Sequence, residues 1–458
     1  MSLQDVISRY GSSDVKKIFS EETRIEKMLN VEAALARALA EFNEIPKEAA
    51  DVISQKAKTE FVTPERIKEI EKKFKHDIVA LINALAEQCG EYGEYVHFGA
   101  TSNDIIDTAW ALQLKDSIKV LGEKLIEISQ ILCEYALKYK DLVMVGRTHG
   151  QHAIPTTLGF KFAVYAAEVS RHIERLQEML KRILVGKIRG AVGTMASFGP
   201  KALEIERRVL EELKLKPAEI TTQVICRDRY AELISWIAIT GSTFDKIAIE
   251  IRNLQRIEIL ELAEGFDINE QFGSSTMPHK QNPIDCEKIS GLAKVLRGFV
   301  IPSLENIPLW HERDLTNSSS ERFVIPLSII ILDEILSTMI KVLKGLRVYP
   351  ENMKRNLELS RGAIMAEAVM MALARKGMGR QKAYKLIREL TIKSQVENRD
   401  FKSILQENNE VRNYLSADEI NYITIPSNYL GKTRDIISNT IKIVQERIKY
   451  FRSCEYLE

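Results

Sequence analysis

A disulfide framework is the first thing this sequence lacks. Its 458 residues include five cysteines, Cys89, Cys133, Cys226, Cys286 and Cys454, an odd number with no Cys-x-x-Cys pair among them. That pattern excludes a cysteine-stapled scaffold and a cysteine zinc site, and it suits a reduced, cytoplasmic protein. Net charge is missing too: 65 basic residues face 64 acidic ones. Such a balance argues against nucleic acid or an acidic membrane as the main partner. Proline is scarce, with 12 residues where average usage would give about 23. The first residues, MSLQDVISRYGSSDVKKIF, lack the apolar core of a signal peptide. The most apolar later run, Phe323 to Leu343, is broken by Asp333, Glu334 and Lys341. It is too polar for a membrane span and predicts a buried helix. No fixed-period repeat or low-complexity tract occurs.

What remains is helical patterning on a large scale. Phe162, Tyr165, Val169, Ile173, Leu176, Leu180 and Ile183 recur every three or four positions, which is one face of a helix. Ile25, Leu29, Leu35, Ala36, Leu39 and Phe42 repeat the pattern near the start. Strand-like alternation is rare, and its best candidate is Lys187 to Met195. The expectation is a mainly α protein in three regions. Residues 1–100 hold shorter helices broken at Pro46 and Pro64. Residues 101–348 hold the longest proline-free runs, and 349–458, beginning at Tyr349-Pro350, hold short helices again. Leu233 to Ile251 is apolar on more than one face. Other helices must bury such a run, and an intersubunit bundle does so readily, so self-association is expected.

Chemistry concentrates in four polar segments. The densest is Gly273-Ser274-Ser275-Thr276-Met277-Pro278-His279-Lys280-Gln281-Asn282-Pro283. It has loop composition, with Asn282 suited to a helix N-cap and Pro283 to the first helical position. Asp285 and Glu287 then suit the first turn, where the helix dipole favours negative charge. The others are Tyr95 to Asp104, Gly146 to Thr157 and Trp310 to Arg322. Five of the seven histidines, His97, His149, His152, His279 and His311, fall in these four segments. A chance scatter would not concentrate them so. His149 and His152 are three apart, but no HExxH or cysteine pair supplies further zinc ligands. Lys280 is no Walker A lysine, since no Gly precedes it and no Ser or Thr follows. Blander readings exist: hydrogen-bonded structural histidines, a solvated charged loop at 310–322, and an N-capping turn at Thr101-Ser102-Asn103-Asp104.

The loop resembles the GSSxMPxKxNP signature of the fumarase/aspartase superfamily at every fixed position from Gly273 to Pro283. Within that superfamily the chain is most similar to the adenylosuccinate lyase branch. The resemblance extends to Arg9-Tyr10, Lys75-His76-Asp77, Thr101-Ser102, RTHGQHAIPTT at 147–157, TTQVICRDR at 221–229 and WHERDLTNSSSER at 310–322. It reaches Lys376-Gly377-Met378 and Arg380, and so covers nearly the whole chain. Related cycloisomerases resemble RTWLQ where this chain has Arg147-Thr148-His149, which favours a lyase. Argininosuccinate lyase remains the alternative within the superfamily.

The resemblance implies a three-domain fold with a long central helical bundle. Four subunits share it as a homotetramer, and each site draws on three of them. It implies β-elimination of fumarate from adenylosuccinate, giving AMP, and from the succinylated aminoimidazole carboxamide ribotide of purine synthesis. No metal or other cofactor takes part. By resemblance Ser274 is the base, and His149, oriented by Glu287, is the general acid. Lys280 and Asn282 hold charge developing on the carboxylate. Arg9, Tyr10, Lys75, His76, Asp77, His97, Thr101, Ser102, Thr148, Gln223, Arg313, Ser318 and Arg322 grip the substrate. Lys75 departs from the arginine of many members, keeping the charge without the bidentate fork. Lys288 likewise replaces an arginine of some members.

Overall fold

A computed structural model of the protein describes residues 8–266 and 276–457. Short helices come first: α1 (Ser13–Ile18), α2 (Glu21–Glu41), α3 (Lys47–Lys56), α4 (Pro64–Phe74) and α5 (Asp77–Cys89). Local chemistry sets their starts. The Ser20 side chain caps α2 by accepting from Thr23 N–H at 3.2 Å. Thr63 caps α4, with Pro64 at its first position, where a missing N–H costs nothing.

Five long helices follow: α6 (Ser102–Lys138), α7 (Leu158–Ile183), then, after the short α8 (Ala202–Glu212), α9 (Asp228–Gln255), α10 (Ile284–Glu305) and α11 (Thr316–Lys344). They pack side by side, α6 along α7, α9 along α10 and α10 along α11. The apolar face read from the sequence of α7 is buried as expected, including Phe162, Val169, Ile173 and Leu176. Each such side chain contributes about 1.5–3 kcal/mol. The apolar run at 323–343 lies within α11 and is mostly buried inside the fold. Seven further helices complete the described residues, ending in α18 (Thr433–Arg452), which packs against α7 and joins the core of the long helices. Gly122 permits that return, because a Cβ there would lie 2.6 Å from the Phe451 ring. A second core joins α2 to α5 with Ile188, Phe198 and α8, and a third gathers residues 369–420.

Strands are few. β1 (Val143–Thr148) and β2 (Gln151–Thr157) form an antiparallel hairpin with a bulge between Val145 and Arg147. Its register pairs Thr148 with Gln151, leaving His149-Gly150 as a two-residue turn. Both turn residues have positive φ, 53° and 75°, the geometry that matches the twist of paired strands. Sequence periodicity missed this hairpin, because Gly146, Pro155 and the turn interrupt the alternation. Two-residue ladders join β3 (Val185–Gly186) to β4 (Lys216–Pro217) and β5 (Leu262–Ala263) to β6 (Arg347–Val348).

The expected strand from Lys187 to Met195 does not form. Its alternation has another cause. Lys187 and Arg189 turn inward to buried carboxylates, Asp104 and Glu206. The mainly α expectation holds.

Candidate active site

A cavity of about 820 Å³ opens where α4, α5, α6 and α11 converge. Eight residues expected to grip substrate line it: Lys75, His76, Asp77, Ser102, Gln223, Arg313, Ser318 and Arg322. Helix ends place most of them. Lys75 terminates α4 in a left-handed conformation, with φ 57°, and His76 starts α5. Val79 N–H donates to His76 Nδ1 at 3.4 Å, which leaves Nε2 to carry the proton of a neutral ring. The Asp77 carboxylate lies 3.4 Å from Arg24 and 3.3 Å from Arg322. Arg313 donates to Gln223 Oε1 at 2.9 Å, yet its Nε is buried without a partner. Burial pushes the Arg313 pKa down, which marks a cation short of compensating charge. Asn103 Nδ2 and Asn317 Oδ1, also in this wall, are buried and unpaired. The unmet Asn103 donor beside an under-compensated guanidinium suits an anionic ligand, and the unmet Asn317 oxygen suits a donor on the same molecule.

Behind this wall lies a layer of buried charge that sequence reasoning did not single out. Asp104 is fully buried and accepts from Lys187 Nζ at 2.5 Å, Arg189 N at 2.8 Å, and Thr101 N and Gly190 N each at 2.9 Å. It therefore fixes Thr101-Ser102 against the 187–190 segment. Lys187 also donates to the Gln223 carbonyl at 2.9 Å, holding that residue at the cavity. One turn on, Asp107 receives both terminal nitrogens of Arg227 at 3.0 Å, while Arg227 Nε reaches Glu321 at 2.9 Å. Burial opposes the charge on Arg227, but the Asp107 and Glu321 carboxylates outweigh it and raise its pKa. These contacts lock the start of α6 to the start of α11. The available signal was two aspartates inside the opening turns of an otherwise apolar helix, and an arginine within TTQVICRDR.

Other expected residues sit elsewhere in the protomer. Thr148 and His149 are exposed at the β1–β2 tip. Arg147, just before the turn, anchors the hairpin by donating to both oxygens of buried Glu261 at 2.8 Å. Gly146 is required there, since a Cβ would meet the Ile154 carbonyl at 2.7 Å. Lys280, Asn282 and Glu287 line a second cavity, of about 790 Å³, with His279, Arg252 and Arg347. Ser274 and Ser275 lie outside the described residues. Within one chain Glu287 and His149 form no ion pair. Arg9 is exposed and Tyr10 half-buried against the core of the long helices, in a segment tethered by Gly11 N–H to Glu334 at 2.9 Å and by Ser12 N–H to Asp333 at 2.7 Å. His97 Nδ1 meets buried Glu32 at 2.6 Å, and neither His97, Arg9 nor Tyr10 lines the first cavity.

One local expectation is corrected. Asn282 is not the N-cap of α10; Pro283 holds that position and α10 begins at Ile284. The orphan amides of Asp285 and Cys286 instead donate to the Glu264 carboxylate at 3.2 and 3.0 Å, so a residue distant in sequence caps the helix. Among the described residues no three His, Cys, Asp or Glu side chains converge as metal ligands would.

Comparison with known proteins places this geometry. A family model described as Lyase matches residues 9–298, and one described as Adenylosuccinate lyase C-terminus matches 362–440. The adenylosuccinate lyase of Pyrococcus abyssi is 55% identical over 446 residues, covering 97% of this chain and 99% of that protein. The chain belongs to the adenylosuccinate lyase family. Another member, from Methanocaldococcus jannaschii, is 51% identical over 98% of this chain and 97% of its own length. Among solved structures, a fumarate lyase from Mesorhizobium superposes with a TM-score of 0.87 at 32% identity, covering 94% of this chain and 98% of that one. The 3-carboxy-cis,cis-muconate lactonizing enzyme of Pseudomonas putida gives 0.88 at 30%, covering 97% and 99%. The fold is thus shared with enzymes of different chemistry, and the adenylosuccinate lyase relatives extend over the full set of polar segments. This chain is a lyase of that family.

Proposed function

We propose that this lyase eliminates fumarate from adenylosuccinate, leaving AMP, and from the analogous succinylated carboxamide ribotide, as a cytoplasmic homotetramer. The observation that carries the reading is the first cavity. Its under-compensated Arg313, with Lys75, Arg322, Ser102 and Ser318 around it, suits a ligand bearing phosphate and carboxylate groups.

In the proposed reaction Ser274 takes the proton from the carbon beside a carboxylate. Negative charge spreads onto that carboxylate, where Lys280 and Asn282 stabilise it as preorganised donors. The C–N bond then breaks, and His149 gives the departing nitrogen a proton, leaving fumarate and AMP. A serine hydroxyl is a weak base at neutral pH, so its alkoxide needs the cation of Lys280 and the positive end of α10.

The placement of the site residues supports the proposed oligomer. His149, the Lys280–Glu287 group and the substrate-gripping cavity occupy three separate parts of one protomer. Exposed apolar side chains on the long helices, including Ile239, Ile249, Val295 and Ile301, supply surface for copies to pack. Other copies can then bring the three parts together.

The test is the ultraviolet spectral change on mixing the protein with adenylosuccinate in the absence of added metal. Conversion to AMP and fumarate is expected. A folded but inert preparation, or turnover of argininosuccinate instead, would overturn the assignment.

A further inference from the structure

We propose that Gln255, Glu264 and Arg347 form a clasp that fixes the Lys280-Gln281-Asn282 tripeptide, making them positioning residues for the elimination. The inference rests on the reading that Lys280 and Asn282 hold the developing carboxylate charge. The two chain segments concerned lie about twenty residues apart in sequence, and the three residues join them by reciprocal hydrogen bonds.

Gln255, the last residue of α9, donates from Nε2 to the Gln281 carbonyl at 3.1 Å. Its Oε1 accepts from Glu264 N–H at 3.0 Å. Arg347, in β6, does the same with opposite groups. Its Nε donates to the Glu264 carbonyl at 3.0 Å and a terminal nitrogen donates to Gln281 Oε1 at 3.0 Å. Glu264 itself completes the link through the amides of Asp285 and Cys286 at the start of α10. Each of the three side chains thus binds the segment at 264 and the segment at 281–286, or is itself part of one and bonded to the other. All the polar groups of Glu264 are engaged, and the residue is only 3% exposed. The chain runs too close here for slack: a Cβ on Gly265 would lie 2.9 Å from the Gly345 carbonyl.

Gln281 sits between the two residues assigned to the chemistry, and both its backbone carbonyl and its side chain are held. Displacing it moves Lys280 and Asn282 together. Donors that stabilise a transition state must be aimed before the reaction, and a misplacement of about 1 Å costs about 100-fold in rate. A plain structural staple would instead lose folded protein without a selective effect on turnover.

The experiment pairs kinetics with hydrogen exchange in Arg347→Ala, Gln255→Ala and Gln281→Ala. Gln281 is exposed, so its replacement keeps the chain folded while removing the Arg347 acceptor. Arg347→Ala is expected to lower kcat for adenylosuccinate about 100-fold, and Gln281→Ala about 10-fold, with KM within about threefold. The double variant Arg347→Ala/Gln281→Ala should lose no more than Arg347→Ala alone, because both single changes remove the one shared Arg347–Gln281 bond. Amides at 281–286 should exchange faster in each variant, with protection of α6 and α7 unchanged. Wild-type kcat in all three variants, multiplicative losses in the double variant, or unchanged exchange at 281–286 would overturn the clasp. An inert wild-type protein would sink the adenylosuccinate reading instead, and the exchange data would still decide whether the clasp exists.

Discussion

The two cavities of one protomer are built on opposite plans. The first is backed by buried ion pairs, Lys187 with Asp104 and Arg227 with both Asp107 and Glu321. Those pairs hold Ser102, Gln223 and the start of α11 in place before any ligand arrives. The second presents Lys280, His279 and Glu287 on its surface, exposed, with the hydrogen bonds of Gln255, Glu264 and Arg347 beneath Gln281. His149, on a hairpin tip, is as exposed as they are. The groups of the first cavity proposed to grip a ligand are thus preorganised within one chain, whereas groups proposed for bond breaking stand where a neighbouring copy can meet them. Electrostatic donors gain strength when water is excluded, so an exposed catalytic group gains most from a partner surface.

That contrast breaks most sharply at the proposed acid and base. Ser274→Ala and His149→Ala are each expected to fold normally and lose about 100- to 10,000-fold in kcat. Turnover near wild type in either variant, measured at saturating adenylosuccinate, removes that residue from its role. Mixing the inactive His149→Ala and Lys280→Ala proteins after partial dissociation sharpens the contrast further. If the groups come from different copies, some mixed sites hold both intact residues and measurable activity returns. Complete silence in verified mixed oligomers would place both groups in a site built by one chain.

The first cavity should fail differently. Asp107→Ala leaves the Arg227 guanidinium buried with half its partners, which costs about 3–5 kcal/mol of stability. Thermal unfolding reads that loss directly, and a melting temperature within a degree or two of wild type would mean the pair is not structural. Arg313→Ala removes a charge-assisted contact of about 1.5–3 kcal/mol, or about 10- to 150-fold in affinity. Its signature is a raised KM for adenylosuccinate with little change in melting temperature.

How much of this was legible beforehand follows the same division. The long helices were readable because apolar residues at three- and four-residue spacing, such as those of α7, are directly what burial selects. The four polar segments were readable because loops at helix ends concentrate functional side chains. The hairpin at 143–157 was not, since a bulge at Gly146 and a two-residue turn break the alternation that marks a strand. The Lys187–Met195 alternation misled for the converse reason: its inward-facing positions are charged groups satisfied by carboxylates far away in sequence. Asp104, Glu264 and Arg347 share that difficulty. A buried or half-buried charge is intelligible only once its partner is known, and each of these partners lies more than 15 residues distant or across a loop.

The smallest expected effect tests the segment between the two plans. His97 is mostly buried and bonded to Glu32, and although burial opposes its charge, the carboxylate's field and hydrogen bond raise its pKa above the ordinary value of 6.5. A raised pKa means the folded protein holds this proton more tightly than the unfolded chain. The pair's contribution to stability is therefore fully present below about pH 6.5 and is lost as pH rises through the higher folded value. Glu32→Gln keeps an acceptor for the ring but removes the charge. Its melting temperature should fall below wild type in mild acid, and the gap should narrow as the pH is raised through the neutral range. A gap that stays constant or widens with pH would show that Glu32 stabilises the fold by packing and hydrogen bonding alone, and that His97 is neutral in the folded protein.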